Sequence, residues 1–161
     1  IEHGTYLDDE AIGLFVETGA YLVPTIHAGK FVAEKSAEPE WFNPAIREKA
    51  AAVGPQIQDS FRRAYEGGVK IAFGTDVGVG AHGTNWLEFK YMTEAGMPAN
   101  EAIKTATINA ADLCGLDDVG TIEPGMIADI IALNGNPLDD VGALGRVAFV
   151  MKDGTVFKQS E

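Results

Sequence analysis

His3, Thr25 and Asp76 each stand where a short apolar run gives way to a loop, in IEH, AYLVPT and KIAFGTD. In parallel α/β architectures, functional groups collect at the carboxyl ends of strands. A neutral imidazole and a carboxylate converging on one rim suit a divalent metal such as zinc, for which both are common ligands. Such a metal lowers the pKa of bound water toward about 7, and a neighbouring carboxylate can carry the proton. After Asp76 the chain reads VGVGAHGTN, a glycine-rich loop able to fold closely around a small substrate, with His82 inside it. Each residue also has a plainer use. An aspartate after a strand serves as a turn or capping residue, His3 equally as a satisfied core histidine, and His82 as an exposed loop residue. His27, just past a strand end, ranks no higher than His82 as a ligand. The loop could also cradle phosphate, as loops after the last barrel strands do. However, GVGAHG fits neither GxGxxG nor the Walker pattern and contains no Lys or Arg.

The elements that must position these residues alternate. Asp8 or Asp9 is expected to cap a helix with Ile12, Phe15 and Val16 on one face and Gly19 as its stop. Residues 20–26 read as a strand, with Pro24 near its end. Residues 27–43 lack clear periodicity and read as a long structured loop or lid. A helical stretch over 44–66 is expected to break at Gly54-Pro55, and VKIAF forms the next strand. Helices follow over 85–96, with Trp86, Phe89 and Met92 on one side, and over 98–116, interrupted near Asn109. Cys114 is expected to be a small core residue. Nearly all-apolar strands alternating with helices point to a parallel sheet covered by helices, in a doubly wound sheet or an α/β barrel. From Gly120 short β runs take over, and Lys152-Asp153-Gly154-Thr155 signals a hairpin.

Composition narrows the partners. The 161 residues carry 24 acidic against 12 basic side chains, a formal charge of −12 that repels phosphate backbones, so nucleic acid is not an expected partner. No apolar run approaches the length of a membrane span, and no membrane partner is expected. Cys114 is the single cysteine, which rules out an intrachain disulfide. The opening IEHGTYLDDE has neither an initiator Met nor a basic leader, so the chain is expected to be a C-terminal piece of a longer protein.

Four segments carry a family resemblance: IEHGTYLDDE, YLVPT, FRRAYEGGVKIAFGTDVGVGAHGTNWLEF and EAGMPANEAIKTATINAADLCGLDDVGTIEPGMIADIIALNGNPLDD. They are similar to the C-terminal half of metal-dependent amidohydrolases, in the branch of Xaa-Pro dipeptidases and imidazolonepropionases. The resemblance implies an α/β fold in which residues 1–118 supply strands six to eight of a (β/α)8 TIM barrel. Residues 119–161 would then supply the C-terminal strands of a small β-sandwich domain. It implies that His3 and Asp76 are metal ligands, that Asp76 is also the catalytic acid/base, and that His82 contacts the free carboxylate of a dipeptide substrate. The implied cofactor is a divalent metal, zinc first, as one or two ions. The family's paired histidines, its bridging lysine or glutamate and a further histidine would all lie upstream of Ile1.

The implied partners are therefore the missing N-terminal portion and a dipeptide or other small-molecule substrate, and a homo-oligomer is expected. The implied activity is hydrolysis of amide or other C–N bonds by metal-activated water. A hydrolytic zinc site takes three protein ligands and this stretch offers two, so the piece alone is expected to be inactive. Two other readings stand beside this one: a non-catalytic relative kept for binding or assembly, and a phosphate-dependent barrel enzyme indifferent to chelators.

Overall fold

The structure, a computed structural model, describes residues 1–160. Helix α1 (Asp9–Thr18) starts where the Asp8 side chain accepts a hydrogen bond from the Ala11 N–H at 2.8 Å, and it ends at Gly19. Ile12 and Phe15 turn inward as expected. Val16 does not: at 50 % exposure it lies off the buried face, about 100° around the helix from Phe15.

Strands β1 (Tyr21–Leu22) and β2 (Lys70–Ile71) pair in parallel, with Tyr21 opposite Lys70 and Leu22 opposite Ile71. On the other side of β1, Glu2 bridges Val23 in parallel. The His3 N–H donates to Val23 O at 2.8 Å and the Val23 N–H to Ile1 O at 2.9 Å. Three parallel segments thus run side by side with β1 in the middle. Just past β2 the Phe73 N–H donates to Thr105 O, and Asn109 Nδ2 donates to Ile71 O, both at 2.9 Å.

The expected loop over 27–43 is in its first part a helix, α2 (Ile26–Lys35). Its buried residues, Ile26, His27, Ala28 and Gly29, sit consecutively in the first turn rather than at helical spacing, so it carries no amphipathic stripe to read. Helix α3 (Pro44–Glu66) is one continuous helix of 23 residues, not two. Pro55 lies inside it, and the usual penalty for an interior proline is offset by packing. Gly54 lies against Ala33 of α2, while Ile57 and Phe61 enter the core at 3 % and 1 % exposure.

Helices α4 (Leu87–Glu94), α5 (Ala99–Thr105) and α6 (Ile108–Cys114) follow. The break between α5 and α6 comes at residues 106–107, just before the expected position. Cys114 is exposed rather than in the core, because α6 buries only Ala111 and ends one residue later at Gly115. The main core joins Leu22 and Ile71 of the sheet to Phe15, Ile26, Phe61 and Met92.

An antiparallel sheet closes the chain in the order β3 (Ile130–Leu133), β4 (Val147–Lys152), β5 (Thr155–Gln159). The expected hairpin is present, with Lys152 paired to Thr155. A short 3-10 turn (Val141–Gly145) brings Gly145 against the Trp86 ring at the start of α4. No helix among the described residues is long and apolar enough to cross a membrane.

Candidate active site

Among the described residues, four that are not glycine have positive φ: His3 at 67°, Thr25 at 50°, Asp76 at 52° and Asp153 at 49°. Asp153 belongs to the β4–β5 turn. The other three end the three neighbouring parallel segments. Each left-handed residue costs about 1–3 kcal/mol and persists only where its surroundings over-determine it. β-branched Thr25 is the most severe case. His3, Thr25 and Asp76 together line one cavity of about 170 Å³, backed by Gly29 of α2 and Val53 and Ile57 of α3. The sheet register therefore brings to one rim the residues that the sequence marked separately.

His3 Nδ1 lies 2.7 Å from Thr25 Oγ1. That contact occupies one ring nitrogen and leaves Nε2 for a ligand, the arrangement in which a second contact fixes a histidine's ring and tautomer. Asp76 is placed by its neighbours. A Cβ at Gly74 would collide with the Val23 side chain, so the end of β2 can approach β1 this closely only with glycine there. Thr75 is buried, and its Oγ1 accepts from the Val77 N–H at 3.2 Å and from Asn85 Nδ2 at 3.4 Å. Both contacts pin the turn that presents the exposed Asp76. His82 is exposed on the following loop and is not among the residues lining the cavity.

A nitrogen donor and a carboxylate on one cavity are donor types that zinc accepts. Among the described residues no group of three His, Cys, Asp or Glu side chains gathers to hold a metal ion. The donor set fits a divalent metal in kind and falls short of one in number.

Sequence reasoning missed Glu88 and undervalued His27. Glu88 is fully buried on α4. Its carboxylate accepts from the Ile26 N–H at 2.8 Å and the His27 N–H at 2.6 Å, at the start of α2. Burial pushes its carboxyl up to about 7, while the N–H groups of His27 and Ile26 pull the other way. The legible signal was spacing: Glu88 stands four positions before buried Met92, on the core side of α4.

His27 is 4 % exposed. Thr84 Oγ1 donates to Ala81 O at 2.6 Å, so it accepts from His27 Nε2–H at 3.0 Å. Nδ1 of the same ring is buried with no partner, and burial lowers the pKa of the imidazole, which keeps it neutral. His27 thus fastens the glycine loop to α2. A Cβ at Gly80 would come within 2.6 Å of His27 Cε1. Gly80→Ala is accordingly expected to destabilise the protein by about 1–3 kcal/mol, read as a lower urea midpoint. An unchanged midpoint would show that the loop does not pack on His27.

Comparison with known proteins identifies the family of the chain. Residues 1–157 match the sequence profile described as "Amidohydrolase family". A solved Xaa-Pro dipeptidase, with methionine bound in its active site, is 57% identical and superposes with a TM-score of 0.95 over 98% of this chain and 39% of its own. Ochratoxinase of Aspergillus niger is 34% identical over 98% of this chain, and imidazolonepropionase of Cutibacterium acnes is 28% identical over 83%. The chain spans about a third of the length of these two curated relatives, 33% and 29%. A mixed α/β chain matched by that profile along nearly its whole length, with strand-end residues gathered on one rim, belongs to the amidohydrolase family.

Proposed function

We propose that this chain is the C-terminal portion of a metal-dependent amidohydrolase that hydrolyses amide bonds, dipeptides of the Xaa-Pro type foremost. The observation that carries the reading is the convergence of His3, Thr25 and Asp76 on one cavity, each in a left-handed conformation at a strand end. Membership in a family whose members are generally metal-dependent supports it. So does 57% identity to a Xaa-Pro dipeptidase. In this reading residues 1–118 contribute strands six to eight of a (β/α)8 barrel, and residues 119–161 contribute strands of a small β-sandwich domain.

His3, steadied through Nδ1, would ligate the metal through Nε2, and Asp76 through a carboxylate oxygen. The remaining donors would come from residues outside this stretch. A divalent cation held there, zinc being the simplest, supplies Lewis acidity and lowers the pKa of water to about 7. Asp76 takes a proton from the attacking water and delivers it to the leaving nitrogen as the C–N bond breaks. His82, on the loop after Asp76, would meet the free carboxylate of the dipeptide. The loop held by His27 and Thr84 would shape the substrate pocket and limit access of bulk water.

The test is metal analysis of the purified full-length protein, together with hydrolysis of Xaa-Pro dipeptides before and after chelation. The expected outcome is bound divalent metal, turnover lost to the chelator and turnover restored by zinc. Metal-free protein that cleaves no dipeptide would favour a non-catalytic relative. Hydrolysis indifferent to chelators would refute the role given to His3.

A further inference from the structure

Thr25 stands at the N-cap of α2, where a threonine hydroxyl ordinarily accepts from one of the free N–H groups of the first turn. Here the Thr25 side chain makes no capping bond. Its Oγ1 is committed instead to His3 Nδ1 at 2.7 Å. The cap comes from elsewhere. Glu88, 62 positions from Ile26 in sequence and fully buried, accepts from the Ile26 and His27 N–H groups through its two carboxylate oxygens. A carboxylate at a helix start is also favoured by the aligned peptide dipoles. The two tasks usually combined in one N-cap residue are divided between Glu88 and Thr25.

We propose that Glu88 is a positioning residue for His3: by capping α2 in place of Thr25, it releases the Thr25 hydroxyl to hold the imidazole with Nε2 turned to its ligand. Without Glu88, the free N–H groups at the start of α2 compete for the hydroxyl of the N-cap residue Thr25, and His3 loses its support. Glu88 touches neither substrate nor metal and acts only through residues 25–27. The proposal rests on the hydrolase reading above, since the ligand of His3 is the metal of that reading.

The test uses the full-length protein and measures zinc affinity by competition with a chromogenic chelator. Loss of a contact that supports a metal ligand typically costs about 10–100-fold in affinity. Glu88→Gln keeps the shape but turns an amide NH2 toward an N–H donor, and it is expected to weaken zinc binding by about that factor. Thr25→Val is expected to weaken it similarly and Thr25→Ser to restore it. Because the two residues act in series, the double variant Glu88→Gln with Thr25→Val should bind no more weakly than the worse single one. Glu88→Gln that melts earlier yet binds zinc as tightly as the parent would reduce Glu88 to a cap and overturn the proposal. Losses that multiply in the double variant would do the same.

If Glu88→Gln does not fold, hydrogen exchange of the unsubstituted protein decides. Coupling between two sites is reciprocal, so zinc should slow exchange at the Ile26 and His27 amides, and unchanged rates would overturn the proposal. Failure of the two readings is distinguishable. An unsubstituted protein that takes up no zinc brings down the hydrolase reading and this proposal with it, whereas tight zinc binding unaffected by Glu88→Gln brings down this proposal alone.

Discussion

Asp76→Asn in the full-length protein is expected to lower turnover of an Xaa-Pro dipeptide by about 10²–10⁴-fold, the range for loss of a positioned acid/base. The fold should tolerate the change. Asp76 has φ 52°, and asparagine is among the few residues that occupy this region readily. The bonds that set the turn come from the Thr75 hydroxyl, not from the Asp76 carboxylate. The melting temperature should therefore stay close to that of the parent, separating a chemical loss from unfolding. Metal content divides the two tasks assigned to Asp76. Turnover lost with metal retained points to proton transfer, and joint loss points to ligation. Near-normal turnover would remove Asp76 from the mechanism.

Features that depend on local chemistry were legible in the sequence. Asp8 caps α1 because a carboxylate before a helical run can reach an N–H three residues on, and Asp153-Gly154 turns β4 into β5 because both residues adopt positive φ. Strand ends could be placed for the same reason: an apolar run stops where a glycine or polar residue begins. What bears on function is that those ends then lie side by side, and parallel register brings that about without any further signal in the residues themselves.

Features that depend on contacts distant in sequence were hidden. The α2 segment buries its first turn with a histidine, an alanine and a glycine, which no hydrophobic pattern would pick out. Pro55 reads as a break, yet the helix continues through it because Gly54 and Ile57 are held on either side. Glu88 is the most instructive case. In LEFKYMTE a glutamate reads as solvent-facing, and only its register with Met92 hints otherwise. Its purpose becomes visible once the start of α2 is seen to need two acceptors. The site was thus readable in its outward-facing residues and unreadable in those that hold them, whose partners lie dozens of positions away.

The remaining large effect is expected at His3. With φ 67°, this position suits glycine without strain, so His3→Gly removes the imidazole while leaving the backbone its preferred conformation. If His3 ligates the metal, zinc affinity should fall by more than the roughly 10–100-fold that loss of a merely supporting contact costs, and turnover should fall with it. The vacated space also offers a sharper readout. Free imidazole added to His3→Gly can enter beside Thr25 and present the same nitrogen donor, so it should recover part of both zinc binding and turnover. A bystander histidine predicts neither loss nor recovery, and a histidine that only props the rim predicts a lower melting temperature that imidazole restores without changing zinc affinity. Asp76→Asn should gain nothing from imidazole, since the missing group there is an acid. Recovery confined to His3→Gly would therefore assign the nitrogen and oxygen donors of the rim to separate tasks, whereas unchanged zinc affinity in His3→Gly would leave His3 without a ligand's role.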